Sequence, residues 1–152
     1  MTIELQPASA ADLERILPLV RAYHEFEGID SSTEQRESAL GQLLGDARLG
    51  GIWLILESGQ LAGYIALCRG FSIEFDGFDA FVDEFYLDPG YRGRGIGKAV
   101  LAAICDEARR AGIRALHLEV ARDNDRARRL YAAAGFEARE KYVLMSATLD
   151  KT

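Results

Sequence analysis

The stretch Asp88–Leu101, DPGYRGRGIGKAVL, sets four glycines and three basic residues within eleven positions and runs straight into a helix-forming segment. The whole chain has 152 residues and a net charge of -6, so concentrating positive charge at one turn is a local choice. Glycines let a backbone approach a ligand closely and turn its N–H groups inward. A helix N-terminus adds a partial positive charge, and Arg92, Arg94 and Lys98 add full ones. The combination reads as a cradle for a pyrophosphate that needs no metal. Two better-known phosphate loops do not fit. The P-loop pattern requires a glycine where Arg92 stands and a hydroxyl where Ala99 stands. The dinucleotide pattern G-x-G-x-x-G fails because Gly93, Gly95 and Gly97 are evenly spaced and Lys98 takes the third glycine's place, even though Glu119 follows at a tempting distance.

Outward from this turn the chain reads as one α/β domain over residues 1–152, with no linker or repeat. Hydrophobic residues at 49% and charged residues at 28% describe a globular protein with a real core. No apolar run approaches the roughly 18 residues of a membrane span. The N-terminal MTIELQPASAADLERI lacks the basic and apolar regions of a signal peptide. Cys68 and Cys105 stand apart in apolar surroundings, as buried thiols of a cytoplasmic protein would. The acidic balance argues against nucleic acid as a partner.

TIELQPA predicts a first strand, and Ser9 with Asp12 a capping box opening a helix. Leu13, Ile16, Leu17, Val20 and Tyr23 make its apolar stripe, and Pro18 is expected to bend it. Ser32 caps a second helix through about Leu44. GIWLILESGQLAGYIALCRG reads as a hairpin about Ser58-Gly59. FSIEFDGFDA is expected to be an irregular acidic loop, followed by the strand FVDEFYLD. A helix from about Gly95 to Ala111 ends at Gly112. RALHLEV then gives a strand, Asp123 or Asn124 opens a helix, and FEARE and YVLMSATLD are expected as two last strands. The sheet would then hold about seven strands with flanking helices.

The segment VDEFYLDPGY followed by R-x-x-G-x-G, at Arg92, Gly95 and Gly97, resembles the acetyl-coenzyme A loop of the GNAT N-acetyltransferase superfamily. NDRARRLYAAAGFE is similar to a second segment of that superfamily, with Asn124, Ala127, Tyr131, Gly135 and Phe136 matching. The order of elements agrees along the whole chain. The resemblance implies direct acetyl transfer from acetyl-coenzyme A to a primary amine. It implies that backbone groups of Phe85 and Leu87, on the strand that includes Tyr86, pair with the thioester and pantetheine. Backbone N–H groups of Arg92, Gly93, Arg94, Gly95, Ile96, Gly97 and Lys98 would hold the pyrophosphate, and Asn124 would contact the pantetheine. Tyr131 would protonate the leaving thiolate, and no metal would take part. A homodimer is also expected from the family.

An alkylamine is protonated at neutral pH, so a carboxylate, or a water beside one, must take a proton before attack. Asp83 and Glu84 are the candidates. Alternation along the strand sends them to opposite faces unless a bulge intervenes, and the longer Glu84 is favoured. YHEFEGID, with Tyr23 and Glu27, and FSIEFDGFDAF, with Glu74, offer carboxylates among aromatics for a small cationic amine. FEG is similar to the corresponding turn of the diamine and polyamine branch. A lysine side chain or a protein N-terminus is the alternative acceptor, and a catalytically silent acyl-coenzyme A sensor is the alternative role. His24 and His117 lie too far apart for a dyad or a metal and read as structural.

Overall fold

The computed structural model describes residues 2–150. A single sheet runs in the order β1 (Ile3–Pro7), β2 (Gly50–Glu57), β3 (Gln60–Ser72), β4 (Gly77–Leu87) and β5 (Ala115–His117). Only the last pair, β4 with β5, is parallel. Four helices flank it: α1 (Leu13–Glu27), α2 (Thr33–Gly45), α3 (Ile96–Arg110) and α4 (Asp125–Ala133). No helix among the described residues is long and apolar enough to cross a membrane.

Each face of the sheet carries its own core. Ile55, Ile65, Leu67 and Val82 pack against Ile96, Val100, Leu101 and Ile104 of α3. On the opposite face Leu54, Tyr64, Ala66 and Tyr86 pack against Ile16, Leu19 and Val20 of α1 and Leu40 of α2. Each such side chain removed from water contributes roughly 1.5–3 kcal/mol before its ordering entropy is counted.

The helix starts follow the expected chemistry. Asp12 accepts from the Ser9 amide at 2.9 Å, in a 3-10 turn that leads into α1. Ser32 and Gln35 exchange two hydrogen bonds, of 2.8 and 3.1 Å, at the start of α2. The Ser58-Gly59 turn joins β2 to β3 with both residues in the left-handed region, as a two-residue hairpin requires.

Two expectations need correction. FSIEFDGFDA is not an irregular loop, because β3 continues to Ser72 and β4 already starts at Gly77. Phe71 and Phe78 face each other across the pair and stack edge-on at 5.6 Å, a cross-strand contact concealed by the surrounding acids. The sheet has five strands rather than seven. FEARE and YVLMSATLD form no strand, and residues 137–150 are exposed. β5 has only three residues and gives them little edge to pair with.

β3 and β4 approach closely at Gly63. A Cβ placed on Gly63 would overlap the Tyr86 carbonyl. Gly63→Ala is therefore expected to cost roughly 1–3 kcal/mol, as overpacking does, or to shift the β3–β4 register. Urea unfolding checks this, and Gly41→Ala on α2, where a Cβ meets nothing within 4 Å, is the control.

Candidate active site

The register of β4 against β3 places the acids. Leu67 faces Val82 and Ala66 faces Glu84, so Asp83 is an extra, unopposed residue in a bulge. Before the bulge Ala80 and Val82 point toward α3, and after it Phe85 and Leu87 do. The bulge therefore transfers Glu84 to the α1 face, next to Tyr64 and Tyr86. Without it, Glu84 would follow Val82 into the apolar core against α3.

There Glu84 has two hydrogen-bonding partners. The Tyr64 hydroxyl donates to Oε1 at 2.8 Å, and His24 Nε2 lies 2.6 Å from Oε2. His24 Nδ1 lies 2.7 Å from the Ser31 hydroxyl, which also accepts from Arg36 Nη1 at 3.0 Å. Asp83 is exposed on the bulge. His24 thus has a partner that spacing along the chain did not suggest. Its helical position gives the signal: four residues after Val20, it continues the stripe that α1 turns to the sheet.

Beside this pair the sheet opens. β5 pairs with β4 only from Asp79 to Phe81, and past His117 the parallel partner ends. The β4 residues from Val82 to Leu87 keep β3 on one side and lack a strand on the other. Such an edge can accept an extended ligand as if it were another strand. The Leu87 carbonyl is already engaged, since Arg92 Nε donates to it at 2.8 Å. The Tyr86 ring is buried between Tyr23 and Tyr64, so only its backbone lies open at this edge.

At the end of this edge stands the glycine turn. Gly93 and Gly95 adopt φ of 73° and 80°, and Gly95 is the N-cap of α3 with no side chain to satisfy the first amides. The amides of Ile96, Gly97 and Lys98 thus head α3 without intrahelical partners. A Cβ on Gly97 would press on Leu130 at 3.2 Å, so glycine here lets α4 close against the turn. The Ile96 side chain is core and leaves only its amide to the loop. The arginines differ from expectation. Arg92 lies over the rings of Phe26 and Tyr86, and Arg94 pairs with Glu57 at 3.3 Å. They brace the turn, while Arg126 of α4, unremarked in the sequence, approaches Gly93 closely.

The remaining candidates divide. Asn124 caps α4, its Oδ1 accepting from the Ala127 amide at 3.1 Å, which leaves its amide nitrogen for a ligand. Tyr131 packs on Phe136 and stays protonated, its pKa raised by burial and then by Glu27. Tyr23 is raised by burial first, then by Glu27, Glu84, Tyr131 and Asp83, so these groups share one neighbourhood. Glu74 does not join them. It sits at the β3–β4 turn paired with Arg139 at 2.7 Å, separated from Glu84 by roughly 25 Å of strand rise. His117 bonds Asp79 at 3.1 Å, consistent with a structural role.

Burial, reinforced by Asp83 and Glu84, pushes the Cys68 thiol up to about 11. Tyr64 is raised further still, by burial and then Glu84. Its phenol stays neutral in the folded chain, whereas the unfolded one ionises near about 10. Stability is therefore level below that pH and falls above it, by about 1.4 kcal/mol per pH unit from this one group. Urea titrations across the alkaline range measure the slope, which Tyr64→Phe should reduce.

The acetyltransferase (GNAT) family profile matches residues 13–136. An uncharacterized N-acetyltransferase of Bacillus subtilis, YycN, is 45% identical over 71 residues, 47% of this chain and 44% of its own length. The N-alpha-acetyltransferase RimI of Mycobacterium tuberculosis is 39% identical over 79 residues, covering 52% of this chain and 47% of its own. These alignments span less than half of each relative. Among solved structures, an integron cassette protein from the Cole Harbour Salt Marsh metagenome superposes with TM-score 0.84 at 32% identity, over 97% of this chain and 91% of its own. A predicted acetyltransferase with acetyl-CoA from Clostridium acetobutylicum shares the fold at TM-score 0.77 and 18% identity, over 95% and 96% of the two chains. With a parted β4 edge, a glycine turn at an uncapped helix and the family profile over most of its length, the chain belongs to the GNAT acetyltransferase family.

Proposed function

We propose that this protein transfers the acetyl group of acetyl-coenzyme A to a primary amine by direct attack, with Glu84 as the base and Tyr131 as the acid. One observation carries the reading: the bulge at Asp83 sets an oriented carboxylate beside the free edge of β4. The residues fit the co-substrate. Extended backbone from Val82 to Leu87 suits the pantetheine arm, and the α3 amides with the positive-φ glycines suit the pyrophosphate. Acetyl-coenzyme A supplies the activated acyl group. Glu84 keeps lone pairs beyond those facing Tyr64 and His24, enough to take the amine proton directly or through water. Tyr131 is protonated through the neutral range and has a proton for the leaving sulfur.

For the acceptor we favour a small cationic amine, of the diamine or basic amino acid kind. Tyr23, Glu27 and Glu84 give the cleft negative charge and an aromatic wall. The same cleft admits a protein N-terminus, a reading that the similarity to RimI favours. Thiol release from acetyl-coenzyme A against spermidine, lysine, kanamycin and an alanine-ended peptide separates the two. Turnover of the small amines supports the first, and turnover of the peptide alone supports the second. Bound coenzyme A without turnover of any amine would make the protein a sensor instead. Glu84→Gln is expected to lower kcat by about 100-fold or more, and Tyr131→Phe by about 10-fold or more, each with little change in coenzyme A affinity.

We also infer a homodimer. Val143, Leu144, Met145 and Leu149 are 63–94% exposed in the extended tail, an apolar row that a second copy would cover. Sedimentation should give twice the mass of the chain, and Val143→Asp with Met145→Asp should halve it. A monomeric wild type would overturn the inference.

A further inference from the structure

We propose that His24 is the positioning residue of the site, held in one tautomer by Ser31 and Arg36 so that its Nε2–H holds the Glu84 carboxylate aimed. The proposal rests on the reading of Glu84 as base. Arg36 Nη1 donates to the Ser31 carbonyl at 2.7 Å and to its hydroxyl at 3.0 Å. One lone pair of the hydroxyl is occupied by a permanent cation, and an ionised Glu84 can only accept from Nε2, so in the neutral ring the hydroxyl proton serves His24 Nδ1, 2.7 Å away. A neutral imidazole that accepts at Nδ1 carries its proton on Nε2. That proton points at Glu84 Oε2 across 2.6 Å, while Tyr64 fixes Oε1 at 2.8 Å.

The three members come from three consecutive elements. His24 is in the last turn of α1, Ser31 in the connection, and Arg36 in α2. His24 and Glu84 are both mostly shielded, with side chains 13% and 17% exposed. Behind His24 and Ser31 an open polar cavity of about 370 Å³ is lined by Arg21, Glu25, Asp30 and Arg36 among others. The order in the chain is thus solvent-side cation, hydroxyl, imidazole, carboxylate, free β4 edge. The apolar stripe of α1 alone would be served by a leucine at position 24. A leucine there would leave the Glu84 oxygen facing hydrocarbon.

The chain has two histidines, so the ring signals of His24 are those lost in H24Q. Long-range proton–nitrogen correlation in mildly alkaline buffer should show His24 bare at Nδ1 and protonated at Nε2. In S31A that preference should weaken. A wild-type ring with a proton on Nδ1 would overturn the proposal without any assay. Kinetics use acetyl-coenzyme A with whichever amine of the panel the wild type turns over fastest. H24L should lower kcat by roughly 10- to 100-fold, the worth of one hydrogen bond to a charged group, with KM for acetyl-coenzyme A unchanged. H24Q, whose amide N–H can reach the same oxygen, should keep kcat within about threefold of wild type, and S31A should add no loss in the H24Q background. Equal losses in H24Q and H24L, or none in H24L, would overturn the positioning role. If E84Q keeps wild-type kcat, it is the reading of Glu84 as base that fails, a separate result.

Discussion

One extra residue in β4 decides what the rest of the structure can do. An antiparallel strand alternates its faces strictly, and Val82 belongs to the core against α3. Unbulged, Glu84 would enter that apolar core, where an unpaired carboxylate is prohibitively costly. Asp83 absorbs the surplus, and the phase of the strand reverses behind it. Apolar Phe85 and Leu87 then take over the α3 face, and Glu84 turns to meet Tyr64 and His24. The same local disruption lies beside the stretch where β5 no longer follows β4. The shielded carboxylate and the unpaired β4 edge therefore arise at one irregularity in the sheet.

The surrounding elements serve that irregularity in different ways. α1 delivers Tyr23, His24 and Glu27 from one end of a helix whose earlier turns are core. The turn before α3 needs glycine at Gly93 and Gly95 for its backbone and at Gly97 for the approach of α4. Arg92 ties the strand end to the turn through the Leu87 carbonyl and lies over Phe26 at the end of α1. This arginine organises the loop mechanically. Its guanidinium is engaged by the Leu87 carbonyl and the Phe26 and Tyr86 rings, while the first amides of α3 stay without intrahelical partners.

The sequence made most of the fold legible because its signals are local. Ser32 with Gln35, Ser58-Gly59 and Asn124 each act within a few residues, and the helices, the central hairpin and the glycine turn appear where those signals put them. Glu84 was legible as one of a pair of candidates. The β3–β4 hairpin was obscured because its strand ends carry acids, and the two strands expected after α4 find no partner among the described residues.

What the sequence by itself determined was the α/β class, the order of elements from β1 to α4, the glycine turn at a helix start and the resemblance to the family. The first three follow from periodicity, caps and spacing along the chain, and the last from the motifs at Arg92–Gly97 and Asn124–Phe136. Only the tertiary structure put Asp83 on an exposed bulge and Glu84 on the shielded α1 face, because a bulge is defined by the residues opposite it. It also brought His24 to Glu84 across 60 positions of sequence and removed Glu74 to the far end of a hairpin. Side-chain chemistry at a site depends on which elements pack together, and that is set by burial over the whole sheet rather than by any short stretch.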